Sequence, residues 1–156
     1  MEENSVLDGV ENQPARELRL IFAGSSCFGV FADEIEAIVD WRTPTPLPAA
    51  PASVLGVVCI RGRMLTVLEV AALPGDGAAA GRSKLVALRG DEQLALAVAR
   101  TGDLIKIAPD EWKAASDAGS LTLGVISQGE QSIPVLNCKE LFAAAMRGRE
   151  RRRRGF

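Results

Sequence analysis

Apolar residues in this chain come in short blocks, and each block ends at a turn signal. Leu18 to Phe22 runs into Ala-Gly-Ser-Ser, and Cys27 to Phe31 is apolar again. Val54 to Ile60 and Met64 to Val70 flank Arg61-Gly62-Arg63, and Lys84 to Leu88 and Leu94 to Ala99 flank Arg89-Gly90-Asp91-Glu92. Leu121 to Ile126 and Ser132 to Leu136 flank Gln128-Gly129-Glu130. Blocks of five to seven residues bounded by glycine turns are too short for core helices and read as paired strands. The sequence therefore predicts a mainly β fold built from hairpins.

Two segments change period. In Asp33 to Val39, Ile35, Ile38 and Val39 fall at helical spacing behind acids placed where a helix dipole favours them, which predicts a short helix. Pro44, Pro46, Pro48 and Pro51 would end it. Asn137 and Glu140 have the spacing of a capping box and predict a C-terminal helix through Leu141, Phe142 and Met146. A Gly-rich stretch near 74–83 reads as a linker.

The second half repeats the first. Shifting Leu65 to Leu73 by 68 residues lays it on Ile133 to Leu141 with Leu/Ile, Val/Val, Leu/Leu and Leu/Leu matches, and Gly24 shifted by 66 lands on Gly90. The pattern predicts two similar units of about 65 residues, each a small twisted sheet, packed together because units of that size bury too little surface alone.

Composition narrows the chemistry. There is no His, which removes the commonest general base, metal ligand and pH switch, and with them every triad built on His. Cys27, Cys59 and Cys138 form no CxxC pair, so a zinc site is not expected and each reads as a small buried hydrophobe. Residues 1–13 lack the basic and apolar regions of an export signal, and no apolar run approaches a membrane span, so a cytoplasmic location is expected. Gly75, Gly77 and Gly81 miss the Walker pattern, because Arg82 stands where it requires Lys. The adjacent acids Asp33/Glu34, Asp91/Glu92 and Asp110/Glu111 read as caps and turns. No cofactor, metal, small-molecule substrate or enzymatic activity is expected.

The net charge of −2 is polarised. Residues 147–154 hold six Arg and one Glu, a balance of +5, which leaves −7 for the remaining 148 residues. A basic cluster can bind phosphates by counterion release, so a small β-barrel protein binding nucleic acid through this tail is the alternative functional reading. One terminal cluster with no aromatics interleaved favours a solvated end instead.

The segment from Thr45 to Val70 resembles the CheW-like domain of bacterial chemotaxis coupling proteins. The residues that support this are Phe28-Gly29-Val30, Pro46-Leu47-Pro48, Val54-Leu55-Gly56-Val57, Arg61-Gly62 and Leu68-Glu69-Val70, followed by Gly124-Val125-Ile126 and Ile133-Pro-Val-Leu136. The resemblance spans about residues 16–146, leaving a disordered acidic tail at 1–15 and an Arg-rich tail at 147–156. It implies two packed SH3-like five-stranded β-barrels with short helices, and a non-catalytic adaptor. The implied partners are the regulatory domain of a CheA-type histidine kinase and the cytoplasmic tip of a chemoreceptor. Carried onto this chain, the implied protein-binding residues are Arg61 and Gly62 at the turn, with Val54, Val58, Ile60 and Leu65 on or near a receptor groove.

The chain also departs from that family. A family Glu that pairs with the Arg of the Arg-Gly turn falls at Ala37, with Glu36 one step earlier. On a helix, a one-residue shift turns a side chain by about 100°, which leaves open whether Glu36 takes its place. Glu69 stands where the family has Asp, Asn137 is its second-half analogue, and Thr66 stands where the family has Pro.

Overall fold

The computed structural model describes residues 16–24, 26–70, 81–108, 111–114, 122–141 and 143. The predicted linker near 74–83 lies mostly outside this set, and both tails lie wholly outside it. In chain order the described strands are β1 (Arg16–Ala23), β2 (Ser26–Phe31), β3 (Ile35–Asp40), β4 (Val54–Ile60), β5 (Arg63–Glu69) and β6 (Lys84–Leu88). They continue as β7 (Leu94–Val98), β8 (Arg100–Ile107), β9 (Trp112–Ala114), β10 (Thr122–Gln128) and β11 (Gln131–Leu136). The four hairpins predicted from the turn signals are β1–β2, β4–β5, β6–β7 and β10–β11, all antiparallel.

The strands form a six-stranded sheet, β8-β1-β2-β11-β10-β9, and a five-stranded sheet, β3-β6-β7-β5-β4. Each sheet contains strands from both halves of the chain, which corrects the expectation that each half forms its own. The first-half hairpin β1–β2 joins the second-half hairpin β10–β11, and β6–β7 joins β4–β5. The joints are parallel, Val67 opposite Ala95 in one sheet and Val135 opposite Gly29 in the other. These residues are related by the same offsets of 68 and 66 that relate the two halves of the sequence. The bridge between Thr45 and Val57 likewise recurs as the pairing of Lys113 with Val125. The repeat is real, and its halves interleave.

Three apolar clusters follow from this arrangement. Residues from all five strands of the smaller sheet (Ala37, Val58, Leu65, Leu85 and Ala95 among them) meet in one cluster, so that sheet curls around its own core. The larger sheet does the same around Leu18, Phe31, Ile107, Ile126 and Val135, with Trp112 packed against them. Between the sheets lies a third cluster containing Ile21, Val30, Leu68, Val86, Leu96 and Leu141. Strands β6 and β7 are buried on both faces: Leu85, Ala87, Ala95 and Ala97 point into the smaller sheet's core, and Val86, Leu88, Leu94, Leu96 and Val98 point to the intersheet cluster. That double burial produces their unbroken apolar runs.

The predicted helix over 33–39 is not formed. Ala32–Glu34 make one 3-10 turn, and Ile35–Asp40 are strand β3, paired with β6 from Ile35–Leu88 to Asp40–Lys84. The pairing holds the segment in place apart from an irregularity between Ile35 and Ala37, and β-branched Ile35, Ile38 and Val39 suit an extended chain covered on both sides. The C-terminal helix begins at 138, where Glu140 N–H donates to Asn137 O, and its described residues end at 143.

Candidate functional site

The β4–β5 turn is the most exposed of the sequence-predicted positions. Ile60 pairs with Arg63, so Arg61 and Gly62 form a two-residue loop, with φ of +51° and +78°. Two successive positive φ values are the signature of a type I′ turn, which matches the twist of the flanking strands. A Cβ added at Gly62 would meet nothing within 4 Å, so the turn opens to solvent. Arg61 is exposed, and among the described residues its guanidinium has no hydrogen bond or ion pair.

The other four predicted residues are placed differently. Val58, Ile60 and Leu65 are 8%, 2% and 0% exposed and belong to the smaller sheet's core, and Val54 packs against the intersheet cluster. The hairpin's outward face instead carries the cross-strand pairs Val57–Thr66 and Cys59–Met64. Met64 is 56% exposed, and Cys59 is exposed beside it. The structure therefore joins Arg61 and Gly62 to an apolar patch that the sequence did not single out.

Arg63 holds the turn in place. Its Nη1 pairs with the Glu36 carboxylate on β3 and donates to Leu88 O at 3.3 Å, and its Nη2 donates to Gly90 O at 3.0 Å. Glu36 thus forms an Arg pair after all, but with the second Arg of Arg-Gly-Arg. The helical rotation does not apply, because Glu36 sits on strand β3. With Arg63 occupied in this way, Arg61 has no acid of its own among the described residues.

A second cluster lies where the 3-10 turn, the β6–β7 turn and the C-terminal helix meet. Glu34, Leu88, Arg89, Gly90, Glu92, Leu94, Cys138 and Lys139 line a cavity of about 80 Å³. Burial pushes the Cys138 thiol's pKa upward, with the nearby Glu34 carboxylate adding to the effect. Glu34 Oε1 is buried without a hydrogen-bond partner among the described residues. Desolvation holds the Glu34 carboxyl above its ordinary value of 4.5, against the lowering effects of the Cys138 hydrogen bond, Arg16 and Lys139, while Asp33 pushes the same way as burial.

A raised carboxylate pKa means that the native state binds more protons than the unfolded state above the ordinary value. Glu34 therefore subtracts stability as pH rises from about 4.5 through its native pKa, and the penalty persists at neutral pH. Glu34→Gln should stabilise the protein at pH 7 by about 1 kcal/mol, the typical cost of a buried unpaired acceptor discounted for partial exposure. Melting curves at pH 7 and pH 4 check this. The gain is expected to shrink to nothing at the lower pH.

Comparison with known proteins agrees with this architecture. The CheW-like domain family matches residues 18–146. The chain is 39% identical over 64 residues to the chemotaxis protein CheW of Rhizobium meliloti (strain 1021), a stretch covering 41% of each protein, so the match spans about two fifths of that relative's length. In structure it is similar to the scaffolding protein TtCheW of Thermoanaerobacter tengcongensis, with a TM-score of 0.71, 15% identity, and 79% of this chain and 89% of that one covered. Fold and surface define a two-sheet β protein with its distinctive residues at an exposed hairpin turn. The chain belongs to the CheW-like domain family.

Proposed function

We propose that the chain is a non-catalytic cytoplasmic adaptor in chemotaxis-like signalling, linking the tip of a chemoreceptor to the regulatory domain of a CheA-type histidine kinase. The names of its relatives, a chemotaxis protein and a scaffolding protein, support the reading. The observation that carries it is Arg61. The positive φ of Arg61 is what the type I′ turn requires, and the turn holds an exposed guanidinium that has no hydrogen bond or ion pair among the described residues. An exposed guanidinium at a hairpin tip, unpaired among the described residues, is available to a group outside the chain. Carboxylates on a partner match its planar fork of donors.

Arg61→Asp tests this cleanly, because Asp tolerates positive φ far better than most residues. Capture of the kinase and receptor by the tagged protein is expected to fall at least tenfold, with an unchanged melting temperature. Equal capture by the folded variant removes Arg61 from the contact.

A further inference from the structure

Glu34 sits where three elements meet, and they differ in how firmly they are held. The 3-10 turn that carries it is tied on both sides. Glu34 O accepts from Arg89 N–H at 2.8 Å, Asp33 pairs with Arg16 at 2.9 Å, and Ile35 pairs with Leu88. The β6–β7 turn, which supplies Arg89, Gly90 and Glu92, is fixed by the antiparallel strands on either side. The third element is the C-terminal helix. The last described strand ends at Leu136, so no strand pairing holds the helix, and Cys138 and Leu141 seat it by packing into the intersheet cluster. An element held by packing can open locally while the rest of a domain stays folded.

We propose that the C-terminal helix is a proton-gated latch. With a proton on Glu34 the helix is seated; when Glu34 ionises the helix lifts more often, uncovering Cys138 and the seat of Leu141 while both sheets stay paired. The sign follows from hydration. Glu34 Oε1 is buried, and no donor among the described residues reaches it. Around the carboxyl stand Arg16 on β1, Asp33 on its own turn, Arg89 and Glu92 on the β6–β7 turn, and Cys138 and Lys139 on the helix. Cys138, Arg16 and Lys139 favour the charged form, and burial, aided by Asp33, outweighs them. Lifting the helix returns the carboxylate to water, so ionisation favours the lifted state and the latch loosens as pH rises above about 4.5. The latch does not depend on the adaptor reading.

The cysteines make the test direct, because Cys138 is buried and Cys59 is exposed. The full chain is alkylated with N-ethylmaleimide at pH values from 5 to 8, and the rate at each cysteine is followed by peptide mass spectrometry. Dividing the Cys138 rate by the Cys59 rate in the same sample removes the reagent's own pH dependence and leaves the lifted fraction. That ratio is expected to rise about fivefold across the range in the wild type and to stay level in Glu34→Gln. Amide exchange at Val86 and Leu96, in the doubly buried strands, is followed in parallel and is expected to stay protected. A wild-type rise of less than about twofold overturns the latch, as does an equal rise in the variant. A matching loss of protection at Val86 and Leu96 also overturns it, by making the opening global. A melting curve confirms that the variant is folded, and if it is not, the wild-type ratio and the amide protection decide alone.

Discussion

Gly56→Ala should cost about 3–5 kcal/mol, a large share of the 5–15 kcal/mol that holds a domain of this size together. Gly56 has φ of +142°, and a Cβ built there would stand 2.2 Å from Thr45 O and 2.7 Å from Thr45 C. Both obstacles are backbone, so no rotamer change relieves them. Relief requires Thr45 to leave β4, which breaks two hydrogen bonds, Thr45 N–H to Val57 O at 2.8 Å and Val57 N–H to Thr45 O at 2.9 Å. Each is worth about 1 kcal/mol net, and the left-handed φ adds about 1–2 kcal/mol for a residue with a side chain. The repeat supplies an internal check. Gly124, 68 residues later, would place a Cβ 2.4 Å from Lys113 O, so Gly124→Ala should be similarly severe. Gly62→Ala has a positive φ but open space around it, and should cost only about 1–2 kcal/mol. Urea denaturation of the three variants separates steric exclusion from backbone strain. A loss of less than 1 kcal/mol at Gly56 would mean that the proline segment does not close against β4.

The second large effect concerns the acid of Leu68-Glu69-Val70. Glu69 is only 4% exposed, and its Oε1 lies 2.5 Å from Arg82 Nε. The Arg82 guanidinium also sits 5.5 Å from the centre of the Trp41 ring. Glu69 is on β5 in the first half, and Arg82 stands two residues before the first residue of β6 in the second, so the pair ties the halves together at the parallel joint. Arg82→Ala leaves a buried carboxylate without its counter-charge. Breaking a buried pair costs about 3–5 kcal/mol, and the partial exposure of Arg82 brings the expectation to about 3 kcal/mol. Adding Glu69→Gln to Arg82→Ala should recover at least 1 kcal/mol, since the stranded charge is then gone. Thermal or urea melts of the two single variants and the double variant measure this coupling. Simple additivity would show that the pair is a surface contact of no structural weight.

Much of this architecture was legible in the sequence, and the parts that were not have physical causes. The hairpins were readable because turns are local, and Gly24, Gly62, Gly90 and Gly129 all have the positive φ that a turn glycine permits. The offsets of 68 and 66 even contained the register of the parallel joints. What they could not show was which half each strand joins, because Val67–Ala95 and Val135–Gly29 are contacts between segments distant in the chain. Burial on both faces hid the rest. On β3, Ile35 and Ile38 pack on the intersheet cluster while Ala37 and Val39 face the smaller sheet's core, so the alternation that marks a strand is absent and the spacing imitates a helix. The same masking concealed that Val58, Ile60 and Leu65 point inward, while Met64 and Cys59 point out. Arg61 and Gly62 were readable because a two-residue turn can only face solvent. Glu34 was not, since nothing local announces a carboxylate folded under a distant helix.

The central claim is that a CheW-like adaptor uses the Arg61 turn to hold a partner. Calorimetric titration of the purified protein with a CheA-type kinase regulatory domain, and separately with a chemoreceptor tip, tests it most directly. The account predicts that the wild-type protein binds at least one of them, and that Arg61→Asp weakens that binding tenfold or more while leaving the melting temperature in place. Binding of the same strength by wild type and variant, or no heat with either partner, would contradict it.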